Sequence, residues 1–481
     1  MAGEQSWWRG VEGAEPIQED PSASPDPNPL NLPQEEPTEQ LLTRRIHIMG
    51  MGSIGTFIAH SLKCLPNPPP LTLTMHKPEM YAEFKRKRRV IRLINNKTHI
   101  NDEQTEYDVD LAETDPKTGY TYWEHIPHRI VGSGIPLHPP TEDEVLSSGE
   151  VYMHTVIVTV KSKDTVAALR SVKHRLNALS TICLIQNGMG QIDQLNREVF
   201  TNPSTRPTYM LGIISHGVHL ASSFVAIHAG FGTIALGVLR DLDKFPLPPK
   251  PTSTTPSPSS LSPEERSRLY PTDADLFSAL SARYLLRTLT RSPILACAPF
   301  PALDLLQLQV EKLAINAVLN PLTALLNLPN GNLLYNPALS KVQRLLLAEI
   351  SLVLRSLPEF EGVPNVRMRF SPERLETLAI SVAAKTAQNS SSMREDIRKG
   401  RATEVQYING YVVKRGEEMG IKCVLNYMLM QLVLGKTRAA RSAEREALPL
   451  GVSRLEGKMQ SRAVGKESGV MLEDVGTIGK G

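Results

Sequence analysis

Cysteine is scarce in this chain of 481 residues, and no long apolar run or strong excess of either charge sign is present. The four cysteines, Cys64, Cys183, Cys297 and Cys423, are widely spaced. They form no CxxC pair and no metal-ligand pattern, so no metal is expected, and their usage suits a reducing compartment. No stretch reaches the ~18 uninterrupted apolar residues of a membrane span, which argues against a membrane partner. Lys and Arg number 53 against 50 Asp and Glu, and the resulting +3 is too small at this length to argue for nucleic acid. The N-terminus lacks basic residues: Glu4, Glu12, Glu15, Glu19 and Asp20 face only Arg9. That is neither a secretory signal nor an Arg-rich mitochondrial presequence, and it leans towards a cytoplasmic location.

What remains is a globular chain with 41% hydrophobic and 21% charged residues, long enough for two or three domains. Residues 1–42 are rich in Pro, Glu, Asp and Ser and are expected to form a disordered leader. Arg45 to Met49 (RIHIM) predicts a strand. It leads straight into Gly50, Met51, Gly52, Ser53, Ile54 and Gly55, and then into a helical TFIAHSLKCL. This is GxGxxG between a strand and a helix, the context a dinucleotide pyrophosphate requires. Leu71 to Met75 predicts a second strand. Where an NAD site usually carries an acid, the chain has His76 and Lys77, which favours the 2′-phosphate of NADP. The KRKRR run at 85–89 is expected to be mostly a solvated helix face.

Residues 79–150 are expected to be a polar insertion, with a hairpin around Asp115 to Gly119. Strand (TVIVTV), helix and strand (TICLI) follow, ending at Lys161 and Asn187. Ligands of parallel sheets lie beyond the carboxyl ends of the strands, so these two residues share an edge with the glycine loop. Residues 208–240 predict further strands closing a first domain at 43–240. His216 there is open as a ligand or a core histidine, with the core reading preferred. A Pro/Ser-rich loop (241–272), an all-helical domain (273–435) and a flexible basic tail (436–481) complete the expected plan.

Within the helical part, Lys312, Asn316 and Asn320 fall at i, i+4 and i+8 on an otherwise apolar helix, one polar stripe along one face. Such groups are costly to bury without partners. The stripe therefore either snorkels to water or lines a cleft, with Lys312 as a proton donor. A second polar cluster runs from Asn389 through Ser392 to Glu404; its Ser run suits a helix cap or a carboxylate ligand.

IMGMGSIG, TVK at Lys161, QNGMG, KLAINAVLNPLTALLNLPNG and NSSSMREDIRKGRATEVQYINGY occur in one order over about residues 45–430. In these segments the chain resembles the ketopantoate reductase (2-dehydropantoate 2-reductase) family. The resemblance implies an α/β fold, with an N-terminal Rossmann dinucleotide-binding domain followed by an all-helical C-terminal domain. It also implies NADPH-dependent reduction of 2-dehydropantoate to pantoate on the way to pantothenate and coenzyme A. Lys312 then matches the proton donor, and Asn316, Asn320 and Asn330 match substrate-binding amides. Ser392 matches the holder of the substrate carboxylate, and Asn187 a residue shared by substrate and cofactor. Lys161, Val218 and Glu404 match cofactor contacts, with His76 or Lys77 at the 2′-phosphate. Val310 departs from the family, which often has Trp there. The expected partner is a small 2-oxo acid, and a homodimer is left open. The alternatives are a reductase of the same fold for another 2-oxo acid, or a non-catalytic NADP-binding module.

Overall fold

The computed structural model describes residues 43–96, 101–114, 121–128, 152–245, 260–269 and 279–447. The expected leader, the 115–119 turn, most of the Pro/Ser loop and the end of the tail lie outside these residues. The chain forms two compact units, residues 1–313 and 314–481.

The first unit is built on a nine-stranded sheet and a four-stranded one. In the larger sheet six strands are parallel: β1 (Ile46–Met49), β2 (Leu71–Met75), β5 (Asp108–Thr114), β7 (Thr155–Val158), β8 (Thr181–Leu184) and β9 (Thr208–Ile214). Those that were legible in the sequence are short apolar runs buried along their length, as parallel strands covered on both faces require. The spatial order β9-β8-β7-β1-β2-β5 turns back at β1. From β1 the chain winds outwards through β2 to β5, then returns to β7 on the other side. A ligand crevice opens at that reversal, beyond the carboxyl ends of the strands. Helix α1 (Ser53–Lys63) follows β1 and buries Phe57, Ile58, Ala59 and Leu62 in the apolar core shared by the two sheets.

The stretch 79–150 is not simply an insertion. After α2 (Pro78–Arg86) it supplies β3 (Ile91–Asn95) and β4 (Asn101–Gln104) to the smaller sheet, with β10 (Gly217–Ser222) and β11 (Val225–Gly230). It also supplies β5 and the antiparallel β6 (Thr121–Ile126), which flank the expected turn. The charges of β5 concealed it. Asp108 and Asp110 are buried, and ion pairs replace apolar packing: Asp108 meets Arg45 and His128, while Asp110 meets His125 and Arg175 at 2.7 Å each. In the KRKRR run Lys85, Arg86 and Arg88 are exposed, as expected, but the other two residues are engaged. Lys87 donates to the Ser223 carbonyl at 2.7 Å, and Arg89 donates to those of Tyr107 and Pro127.

Strand β12 (Ile234–Val238) and β13 (Cys297–Pro299) complete the larger sheet on the β9 side. Helix α6 (Leu280–Thr290) belongs to this unit rather than to a helical domain from 273. Its Ser281 hydroxyl donates to the Leu179 carbonyl and bonds Thr181 of β8 at 2.8 Å. Between them in the chain, the short α3 (Thr165–Ser171), α4 (Gln191–Glu198) and α5 (Pro263–Leu269) are helical, the last inside the expected Pro/Ser loop.

Helix α7 (Ala302–Leu326) passes through the division between the units. The second unit continues with α8 (Pro337–Arg355), α9 (Val366–Arg369), α10 (Pro372–Lys385), α11 (Ser392–Arg398), α12 (Val405–Glu418) and α13 (Val424–Ala447). The first 12 residues of the expected flexible tail, 436–447, are therefore helix. Pro321 lies inside α7 and cannot donate to the carbonyl of Ala317, four residues earlier. Asn409 of α12 supplies the missing donor, its Nδ2 lying 2.8 Å from the Ala317 oxygen. Asn409 also donates to Asn426 Oδ1 at 3.1 Å, and Asn426 donates to Glu349 at 2.8 Å. The Glu349 carboxylate then accepts the main-chain N–H groups of Leu425 and Asn426, capping α13 with a negative charge.

Two predictions follow from these buried groups. Asn409→Leu should leave the Ala317 carbonyl buried without a donor and lower stability by about 2–3 kcal/mol, read as a lower urea midpoint. The second concerns acid. Burial holds the fully buried His47 far below its usual value, to about 3, while Asp108 and Asp110 sit below the carboxylate range. Burial alone would raise both acids, but the partners of Asp108 (Arg45, His128) and of Asp110 (His125, Arg175) outweigh it. In each case the unfolded chain binds protons that the fold refuses. Stability should therefore fall as pH drops from about 6.5, first through His47, and further below about 4 through the carboxylates. Urea midpoints against pH check this, and His47→Gln should make the fall between pH 6.5 and 4 shallower.

Candidate active site

In the first unit, five strand ends carry the residues singled out from sequence. Gly50 follows β1, His76 follows β2, Lys161 comes after β7 and Asn187 after β8. At β9, Lys312 Nζ donates to the carbonyl of the last residue, Ile214, at 2.6 Å. All five strands are parallel, so these groups lie along one edge, spread over roughly 19 Å at a strand spacing of about 4.8 Å.

The turn at β1 is tightly built. Gly50 has φ +106°, and a Cβ there would meet the Val160 nitrogen at 2.6 Å. At Gly55 a Cβ would come within 1.8 Å of the Gly50 oxygen. At Gly52, the N-cap of α1, a Cβ would meet nothing within 4 Å. The backbone is thus bare towards open space just where a helix presents its unpaired N–H groups, which fits a dinucleotide pyrophosphate. Met51 is buried, whereas Ser53 and Ile54 are partly exposed at the helix start.

His76 and Lys77 are exposed beyond β2, and no acid stands at that strand end. Partial burial and then the charge of Lys77 lower the His76 pKa, so the cation here at neutral pH is Lys77. Val218 lies elsewhere, on β10, the edge strand of the smaller sheet, in register with His228. His216 is a satisfied core histidine. It bonds His228 at 3.1 Å and the Leu295 carbonyl at 2.9 Å, and burial lowers its pKa to about 4.

Sequence reasoning missed the residues that hold this edge. The Thr159 hydroxyl lies 2.6 Å from the Gly50 oxygen. Ser162 donates to the Asn187 carbonyl at 2.6 Å, and Gln191 donates to both Ser162 and Asn187. Gln186 donates to Thr165 and to the Val160 carbonyl. The loops after β7 and β8 are thereby tied together. Thr159 and Gln186 stand inside the TVK and QNGMG segments, and that adjacency was the only available signal.

In the second unit, Asn316 and Asn320 continue the stripe of Lys312 along α7, one and two turns on, about 6 Å per step. Asn320 is buried and Asn316 is half-buried. One turn further, Thr323 bonds Ser391 at 2.7 Å, and Ser391 caps α11 through the Arg394 N–H. Ser392, the first residue of α11, is exposed, so the cap is its neighbour. Asn330 donates from Nδ2 to Thr386 at 2.9 Å and from its main chain to the Asn389 carbonyl. Its Oδ1 is buried with no hydrogen-bond partner. These bonds hold Asn330 and Thr323 against the segment 386–391, and Thr323 also donates to the Asn320 carbonyl at 3.0 Å. Glu404 is buried at the N-cap position of α12, the helix fixed to α7 through Asn409.

A glycine turn at the reversal of a parallel sheet, with a lysine on the same edge, defines a dinucleotide-binding oxidoreductase. Comparison with known proteins narrows this class. Residues 46–241 match the profile "Ketopantoate reductase PanE/ApbA", and residues 304–437 match "Ketopantoate reductase PanE/ApbA C terminal". The chain belongs to the ketopantoate reductase family. A probable 2-dehydropantoate 2-reductase of Schizosaccharomyces pombe is 28% identical over 399 residues, covering 81% of this chain and 96% of the relative. A ketoisovalerate reductase of Gibberella fujikuroi is 26% identical over 405 residues, covering 77% of this chain and 78% of the relative. In fold, the chain resembles the ternary structure of D-mandelate dehydrogenase with NADH and anilino(oxo)acetate. The TM-score is 0.55 at 15% identity, with 82% of this chain and 99% of that one covered. Relatives in this family thus carry names for more than one 2-oxo acid. Among the described residues no helix is long and apolar enough to cross a membrane.

Gly55→Ala tests the turn. Its Cβ would collide with the Gly50 carbonyl and force α1 back. Dinucleotide affinity, followed by nicotinamide fluorescence, should weaken at least about tenfold, the cost of roughly one displaced charge-assisted hydrogen bond. The far-ultraviolet circular dichroism should stay unchanged.

Proposed function

We propose that this chain reduces 2-dehydropantoate to pantoate with NADPH, a step towards pantothenate and coenzyme A. The observation that carries the reading is the bond from Lys312 to the end of β9, which fixes an ammonium on the sheet edge of the glycine turn. NADPH, when bound, supplies the hydride. Addition to the ketone builds negative charge on its oxygen, and Lys312 both stabilises that charge and delivers the proton. The glycine turn holds the pyrophosphate, and Lys161 and Asn187 hold the nicotinamide half; Glu404 is a cofactor contact by family resemblance alone. Val218 contributes main-chain groups from its edge strand. Lys77 meets the 2′-phosphate, with His76 as its neutral neighbour. Asn316 and Asn320 bind the substrate, and Ser392 with the N–H groups beside it takes the carboxylate.

A second reading is reduction of ketoisovalerate, the name carried by the Gibberella fujikuroi relative. The two acids differ by one hydroxymethyl group. Asn330 favours the first, because its buried, unpartnered Oδ1 is an acceptor that the hydroxyl of 2-dehydropantoate satisfies and the C–H in its place in ketoisovalerate does not. A site built to bond a hydroxyl discriminates strongly against the analogue without it.

NADPH oxidation by the purified chain, with 2-dehydropantoate, ketoisovalerate and other 2-oxo acids side by side, tests both readings. The expected result is turnover preferring 2-dehydropantoate. Preference for another acid would replace the substrate, and NADPH binding without any turnover would favour a non-catalytic module. Lys312→Ala should cut kcat by about 10²–10⁴-fold with NADPH affinity retained; near-normal turnover would remove Lys312 from its role. Lys77→Ala should narrow the preference for NADPH over NADH, measured as the ratio of kcat/KM values.

A further inference from the structure

At the far end of α1 from the dinucleotide turn, four side chains converge that the proposed reaction does not use. His60 and Cys64 stand one helical turn apart and meet Asp102 and Gln104 of β4. A donor atom from each of His60, Cys64 and Asp102 lies within 4.8 Å of the other two. Cys64 Sγ is 3.3 Å from Asp102 Oδ2 and 3.6 Å from His60 Nδ1. The Gln104 amide lies 3.4 Å from Cys64 Sγ and 3.3 Å from Asp102 Oδ2. Tetrahedral zinc, with bonds of about 2.0–2.3 Å, sets its donors roughly 3.3–3.7 Å apart.

We propose that His60, Cys64 and Asp102, with Gln104 as a neutral fourth donor, bind a divalent cation of the zinc type. The ion would clasp the C-terminal end of α1 to β4.

The histidine is already arranged as a ligand. His60 Nε2 faces the main-chain oxygen of Asp102 at 3.1 Å and its Oδ2 at 3.3 Å; the carbonyl can only accept, so it holds the proton on Nε2 and leaves the Nδ1 lone pair towards Cys64, and Asp102 Oδ2 turns from Nε2 to reach the ion. A carbonyl holding the second ring N–H is the usual support of a metal-bound imidazole. A half-turn of the Gln104 amide about its last bond presents Oε1 in place of the nitrogen without changing its shape. One thiolate, one carboxylate, one imidazole and one amide oxygen form a mixed borderline set, suited to zinc and poorly suited to magnesium or calcium. On binding, the Cys64 proton leaves to solvent and the sulfur pair forms the new bond to the ion. His60 is 1% exposed and Asp102 50%, so one side of the cluster is walled by protein and the other admits an ion.

Cobalt(II), added to the chelator-treated full-length chain, tests the proposal. One equivalent should produce thiolate-to-cobalt charge-transfer absorption in the near ultraviolet, and zinc should abolish it by competition. Cys64→Ser should lose the band while still binding NADPH, and Asp102→Asn should weaken zinc binding by more than about tenfold. Absence of the band in the unmodified chain, or its retention in Cys64→Ser through another thiol, overturns the proposal. Should Cys64→Ser not fold, alkylation of the unmodified chain decides. Zinc should protect Cys64 from iodoacetamide, and equal labelling with and without zinc rejects the site.

Discussion

The close passage of main chain at the end of β1 is the constraint on which the site depends. Gly50 turns with a left-handed φ against Val160, and Gly55 presses the first turn of α1 onto the Gly50 carbonyl. Thr159 of the neighbouring strand end bonds that same carbonyl. Three chain segments are thereby packed at backbone distance with no room for a side chain. Gly52, between them, faces open space. Because β7 and β8 are registered on β1, the same contact sets the height of Lys161 and Asn187 along the edge. Through β9 it also sets the anchor of Lys312.

Polar groups are buried in both units, and each unit has its own way of meeting the cost. The first uses full charges: Asp108 is matched by Arg45, just before β1, and His128, just after β6, and Asp110 by His125 of β6 and Arg175. The second uses two amides on one carboxylate, Asn409 donating to Asn426 and Asn426 to Glu349, from one helix to the next. The two solutions respond differently to conditions. The ion pairs fail in acid, whereas the bond between the Asn409 and Asn426 amides carries no titrating proton and fails when a member is truncated.

Much of this was legible in the sequence, for reasons that can be located. Strands buried on both faces are short apolar runs, so LTLTM and TICLI announce themselves. The Lys312 stripe stands out because polar residues at helical spacing are conspicuous on an apolar helix. Strand β5 was hidden, since Val109 and Leu111 alternate with aspartates that read as solvent-facing, and the partners that neutralise those buried acids lie up to 65 residues away. The end of the first unit was misplaced for a related reason. α6 has a helical pattern, but only the bonds of Ser281 to the β8 side of the sheet reveal which unit it serves. The basic residues after 435 suggested a tail, yet helix α13 continues to Ala447 because nothing in KTRAARSAEREA breaks it. Ser162 and Gln191 carried no signal, being ordinary polar residues whose meaning lies in which loop they join.

The pairing of Pro321 with Asn409 has a consequence for how such a chain can change. The proline makes the amide necessary, because only a side chain from α12 reaches the carbonyl that the helix leaves unpaired. Without the proline, the amide loses that task. Substitutions at the two positions are therefore ordered in time. A lineage that replaces the proline first puts only the bond to Asn426 at stake when the asparagine later changes, while the reverse order also strands the Ala317 carbonyl. The two residues act as a ratchet. Once both are present, drift at position 409 is blocked until position 321 has moved.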